Sequence, residues 1–170
     1  MAQAFSSLLA AVAIEIGVSA EALQRAQELV IDDHVIGLHL ELNSPRVEDS
    51  LGASNFVEAQ VDSAMASVMF FTLLGEPHPD RLAMVCSTLL AANCRWAGTA
   101  GGTLGLQQGS NQVVLCDQLP LLSLDGPSFA MVLNSFCDTA AFWKNFVAGD
   151  PWGDVENQDP IAAFRMLNMA

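Results

Sequence analysis

The sequence predicts an α+β fold, and three stretches predict it: a long amphipathic helix near the C-terminus, a pair of short strands before it, and an alternating strand in the first third. In the helix, Phe129, Leu133, Phe136, Ala140, Trp143 and Val147 recur at steps of 4, 3, 4, 3 and 4, the apolar stripe of a helix packed on a core. Asp125 and Pro127 stand where a helix start places them. Residues 103–107 and 112–116 read as strands, and Gly109-Ser110-Asn111 between them suits a hairpin turn. In residues 35–42, Ile36, Leu38, Leu40 and Leu42 alternate with Val35, Gly37, His39 and Glu41. That period of two gives one buried face and one available face.

The other elements follow in chain order. A first helix covers residues 5–16, with Leu8, Leu9, Val12 and Ile16 on one face, and Gly17 ends it. Ser19 and Glu21 open a second, short helix that runs to Gln27. Residues 29–31 form a strand, joined to 35–42 through the turn Asp32-Asp33-His34. Pro45 and Gly52 mark residues 43–55 as a loop, and 56–62 fit a strand or a helix. The nearly unbroken apolar run 64–74, with Val68, Met69, Phe70, Phe71 and Leu73, reads as a strand buried on both sides. Pro79 opens a helix whose stripe is Leu82, Val85, Cys86, Leu89 and Leu90, continuing to Asn93 and Trp96. The order is helix, strands, helix, strand pair, helix, in one domain over 1–148. Residues 149–170 read as a flexible acidic tail, with a short apolar segment at 161–169.

Composition excludes whole classes of function. With 19 Asp and Glu against 6 Lys and Arg, the net charge is −13, which repels nucleic acid and anionic lipid surfaces. With 52% hydrophobic and only 15% charged residues, the chain carries more apolar side chains than a monomer's interior needs, which points to interfaces. No segment has the length and apolarity of a membrane span. Residues 5–14 are apolar, yet no Lys or Arg precedes Arg25 and Glu15 interrupts the run, so the start reads as an amphipathic helix and not as a signal peptide. Cys86, Cys94, Cys116 and Cys137 contain no CxxC pair and read as reduced thiols of a cytosolic protein.

Catalytic motifs find little support. The loop from Gly98 to Gly105 is glycine-rich, but no Lys exists before Lys144 to reach a phosphate, and the glycines precede a strand instead of a helix. His34 and His39 are five residues apart, on opposite faces of a strand, which argues against joint metal ligation. Asp32 and Asp33 serve turn chemistry. Met65, Met69, Met84, Met131, Met166 and Met169 are scattered and read first as core fillers, second as an adaptable surface.

Leu89-Leu90-Ala91-Ala92-Asn93, Gly102-Thr103-Leu104-Gly105-Leu106, Val114-Leu115, Leu119-Pro120-Leu121 and the helix from Phe129 to Trp143 carry a resemblance by their order and spacing. With the small acidic chain around them, they resemble the Tir chaperone (CesT) family, the class I type III secretion chaperones. The resemblance implies a sandwich-like fold, a twisted antiparallel sheet flanked by three main helices, in a homodimer of the bacterial cytoplasm. It implies a virulence-associated chaperone that binds the N-terminal segment of one or more secreted effectors, keeps it extended, and presents it to the secretion ATPase, without catalysis, metal or cofactor. By position it assigns Leu82, Val85, Cys86, Leu89, Val113 and Leu115 to the dimer interface. Leu38, Leu40, Leu42, Val68 and Phe70 would line the partner site. Residues 43–64 are longer and less regular than the family pattern, and the tail is an addition whose Ile161, Phe164 and Leu167 would fill an apolar groove until a client displaces them. Two other readings stand beside it: a small α+β enzyme or ligand-binding protein using Cys94 or Cys116, and a secretion regulator on the same fold.

Overall fold

Antiparallel pairing arranges the strands in one sheet in the order β1-β2-β3-β5-β4. The computed structural model describes residues 2–42, 66–149 and 160–167. Helix α1 (Ala2–Ile16) buries Phe5, Leu8, Leu9, Val12 and Ala13 and stops at Gly17, whose φ of 77° suits a residue without a Cβ. Helix α2 (Ala20–Ala26) is capped by the Ser19 hydroxyl, which accepts from the Ala22 N–H, and ends at a left-handed Gln27. Strands β1 (Glu28–Ile31) and β2 (His34–Leu42) form a hairpin that pairs Ile31 with His34. Its turn residues Asp32 and Asp33 have φ of 45° and 65°, the left-handed geometry that two-residue hairpins need and Asp tolerates. The loop expected at 43–55 and the ambiguous stretch 56–62 lie outside the described residues.

Strand β3 (Ala66–Gly75) is central, between β2 and β5 (Val113–Pro120), and β4 (Thr103–Leu106) closes that side. Helix α4 (Gly126–Ala148) lies against β3, with α1 alongside. Asp125 and Ser128 form a capping box at its start, the Ser128 N–H donating to Asp125 Oδ1 at 2.8 Å. All six residues of its stripe are buried. A Cβ on Gly126 would stand 2.7 Å from Ala11 Cβ, so this glycine sets how closely α1 approaches α4. Trp143 is fully buried and donates its Nε1–H to the Gly98 carbonyl at 2.8 Å, satisfying its polar edge.

Helix α3 (Leu82–Asn93) is opened by a 3-10 turn at Pro79–Arg81. It is tied to β4 through Asn93, whose amide donates to the Leu104 carbonyl at 2.8 Å and accepts from the Leu104 N–H at 2.9 Å. The asparagine thus takes the place of a neighbouring strand at that point of the β4 edge. Two details differ from the expected stripe. Leu90 is 72% exposed while Val85, Leu89 and Ala92 are buried. The helix stops before Trp96, because Arg95 and Trp96 take φ of 58° and 53°.

Strand β3 is also corrected: it is buried on one side and only partly covered on the other. Val68, Phe70 and Leu74 are buried, Met69 and Phe71 half-buried, and Leu73 is 44% exposed. The helices cover the face that carries Phe70, whose ring meets Phe129 and Phe136 edge to face at centroid distances of 5.5 and 4.9 Å. Within the expected tail, the apolar segment that fits a helical turn or two forms helix α5 (Pro160–Leu167). Phe164 is buried with its ring 5.1 Å from that of Phe142, and Arg165 Nε donates to the Ala97 carbonyl at 3.3 Å.

Candidate functional site

The sheet register sorts the strand residues into two sets. Ile36, Thr72 and Leu115 form one row under the helices, Leu38, Phe70 and Asp117 the next, and Leu40, Val68 and Leu119 a third. The opposite face carries Gly37, Phe71 and Cys116 in one row and His39, Met69 and Gln118 in the next. Val30, Val35 and Leu73 extend that face, at 62%, 55% and 44% exposure. Gly37 lets the Phe71 ring lie flat across β2, since a Cβ there would come within 2.5 Å of Phe71 Cζ. His39 stacks parallel to the same ring at 6.0 Å and 7°. The result is a shallow apolar floor with an aromatic centre.

The floor ends at an open strand edge. Leu38 N–H donates to the Gln27 carbonyl at 2.7 Å, which marks that pair as hydrogen-bonded; by antiparallel alternation Glu28 and Val30 turn their N–H and C=O groups away from β2. No strand pairs with β1 on that side among the described residues. Such an edge is a template for an added extended segment.

The sequence-assigned residues fall elsewhere. Leu38, Val68 and Phe70 are 0% exposed inside the protomer, and Leu40 is half-buried against the same core; Leu42, at 52%, is the exposed member. This placement has a simple cause: the more apolar face of an alternating strand is the one the helices cover. Of the residues assigned to the dimer, Val85, Leu89, Val113 and Leu115 are core, and Leu82 and Cys86 are half-buried. The exposed apolar side chains of this region are Met84, Leu90, Trp96 and Leu106. The outward set of the alternation is Val35 and His39 on β2 and Met69 and Phe71 on β3.

A second feature is a cleft of about 380 Å³ between α4, residues 99–102 and β5, lined by Thr99, Gly101, Asp117, Leu119, Val132 and Phe136 among others. Asp117 occupies an inward position in the strand, in line with Val113, Leu115 and Leu119. A carboxylate at an apolar alternation position was its sequence signal. Burial raises its pKa above the usual carboxylate range, against the Gln118 backbone N–H that lowers it. With the folded pKa above the unfolded one, stability is full below the unfolded pKa and is lost as pH rises through the folded value. Asp117→Asn should therefore melt higher than wild type at pH 7, with the advantage shrinking as pH falls toward about 4. Thermal melts across pH check this, and a gain that is the same at every pH would contradict it.

Two of the thiols, Cys116 and Cys137, are not set up as nucleophiles. Burial, aided by Asp117, raises the Cys116 pKa, and burial pushes Cys137 up to about 11, so both stay protonated at neutral pH. His34 is buried with Nδ1 unpartnered among the described residues, and burial, with Lys144 nearby, lowers its pKa. Among the described residues no cluster of His, Cys, Asp or Glu is placed to hold a metal, and no helix is long and apolar enough to cross a membrane.

Comparison with solved structures finds this architecture elsewhere. The ExsC-ExsE complex matches over 87% of this chain and 96% of that one, with a TM-score of 0.59 and 17% identity. The ExoT-SpcS complex from Pseudomonas aeruginosa matches over 83% and 97%, at 0.50 and 14%. The HopA1-SchA chaperone-effector complex matches over 86% and 94%, at 0.50 and 16%. These likenesses establish the fold. No curated protein sequence matches the chain. The sequence model of one family does match, over residues 50–144, more than half of the chain and including all of β3, α3, β4 and β5 and most of α4: the protein belongs to the Tir chaperone protein (CesT) family.

Proposed function

We propose that this protein is a type III secretion chaperone that binds the N-terminal segment of a secreted effector in extended form and keeps it competent for export. The observation that carries the reading is the free β1 edge beside the apolar floor of Val30, Val35, Met69, Phe71 and Leu73. Backbone hydrogen bonds at the edge supply affinity without demanding a sequence, and alternate apolar side chains of the client lie on the floor. A net charge of −13 keeps a surface this apolar from self-association and favours clients with basic segments. The family and a similar chaperone-effector complex support it.

In this reading the protein works as a homodimer in the bacterial cytoplasm, joined through the exposed side of α3, and hands its client to the secretion ATPase. Nothing in the work requires catalysis or a cofactor, because the product is a conformation.

The test is gentle purification from the native host, with mass spectrometry of what accompanies the protein. The expected result is one or a few secreted proteins, bound through their N-terminal segments. Val30→Pro removes an outward N–H without touching the β1–β2 ladder. It should leave the melting temperature near wild type and weaken client binding about tenfold. A purified protein that carries no polypeptide, or a proline variant that binds as well as wild type, would overturn the reading.

A further inference from the structure

We propose that the cleft between α4, residues 99–102 and β5 is a subsite for one basic side chain, arginine or lysine, of a bound polypeptide. This rests on the proposed function only for the source of that side chain.

Asp117 is the charged group of the cleft, and it stands without a counter-charge among the described residues. Thr99 is 3% exposed with its Oγ1 sealed from solvent, so it forms wall and offers no hydrogen bond to an entering group. Asp117 Oδ1 accepts from the Gln118 N–H at 2.7 Å, while among the described residues no Lys or Arg lines the cleft. Among the described residues the one ion pair is His78 with Asp80, so Asp117 has no cation there. Gly101, with φ of 108°, leaves the approach to Asp117 clear: a Cβ there would already lie 3.9 Å from Asp117 Oδ2. The structure thus holds a half-buried carboxylate in one small volume, at a cost to its own stability. Sites that bind carry such costs.

The walls define the ligand's shape. Leu119, Val132 and Phe136 are apolar and flank the carboxylate. An alkyl stem against these walls with a cationic head on Asp117 matches arginine or lysine, which bury the stem and pair the head. Arginine fits better, because its planar guanidinium meets a carboxylate with two parallel donors. A volume of about 380 Å³ is at the small end of ligand pockets, which run from roughly 300 to 1,000 Å³. It suits one side chain and not a folded partner. Strand β4 pairs with β5 only as far as Cys116, so from Asp117 onward no strand among the described residues pairs with that side of β5. The overall charge of −13 draws basic segments toward it.

The test uses the full-length protein and small probes followed by amide NMR. Acetyl-arginine amide should shift the Thr99, Gly101, Gly102 and Asp117 signals and saturate, whereas acetyl-citrulline amide, its neutral isostere, should not. Asp117→Asn should weaken the arginine probe about tenfold, with the variant still folded. An acetylated Leu-Arg-Leu amide should bind more tightly than acetyl-arginine amide, because its flanking residues meet β5. Equal, unsaturating shifts with the citrulline probe, or undiminished binding by Asp117→Asn, would overturn the subsite. Tighter binding of agmatine than of the tripeptide would overturn the polypeptide as its source. These probes read the cleft without any client, so their failure is distinct from failure of the client purification.

Discussion

Phe70→Ala is expected to lose about 3–5 kcal/mol of stability, a large share of the roughly 5–15 kcal/mol that holds a domain together. Phe70 is 0% exposed in the central strand, and its ring packs edge to face on Phe129 and Phe136 of α4. Removing it opens a cavity between the sheet and its main helix, and neither rigid element can collapse into the space. Met69→Ala, one residue away, is the control. Its side chain points to the open floor and is half-buried, so truncation should cost about 1 kcal/mol or less while weakening a client that lies there. Urea unfolding followed by circular dichroism separates the two. If Phe70→Ala unfolds at the wild-type midpoint, the face assignment of β3 is wrong, and every position from residue 66 to 75 changes sides with it.

The second large effect separates neighbours on α3. Leu89→Asp should abolish folding, because Leu89 is 3% exposed and the aspartate would be buried without a partner. Leu90→Asp should leave the protomer folded, since Leu90 is 72% exposed, and should convert the proposed homodimer to monomer by placing a charge in its interface. Circular dichroism reads folding, and size exclusion with light scattering reads mass. A folded Leu90→Asp variant that keeps the wild-type mass would remove α3 from the interface. A folded, soluble Leu89→Asp variant would contradict the packing of α3 itself.

The elements were legible in the sequence because each writes its own period or punctuation. The 4-3-4-3-4 stripe of α4, the Asp125 cap, the Gly17 stop and the Asp32-Asp33 turn are local signals, and the structure places each within a few residues of its reading. Asp117 fell one residue past the strand expected at 112–116, so its inward position emerged only when the strand proved to run to Pro120. The sequence also carried the acidic balance that limits the choice of partners, and an order of elements that identifies a family.

Only the tertiary structure decided which face of each element looks inward. An alternating strand such as β2 offers two faces, and the chain alone does not say which one the helices will cover. The leucines went under α4 and left Val35, His39, Met69 and Phe71 outside. On α3 the stripe was broad enough that Leu89 and Leu90 looked equivalent, until the tie from Asn93 to Leu104 fixed its rotation and separated them. The cleft needs Thr99, Asp117 and Phe136, brought together from three elements. The period of a helix or strand is set by neighbours along the chain, whereas the choice of a face and the assembly of a cleft depend on contacts between residues far apart in it, and no local pattern records those.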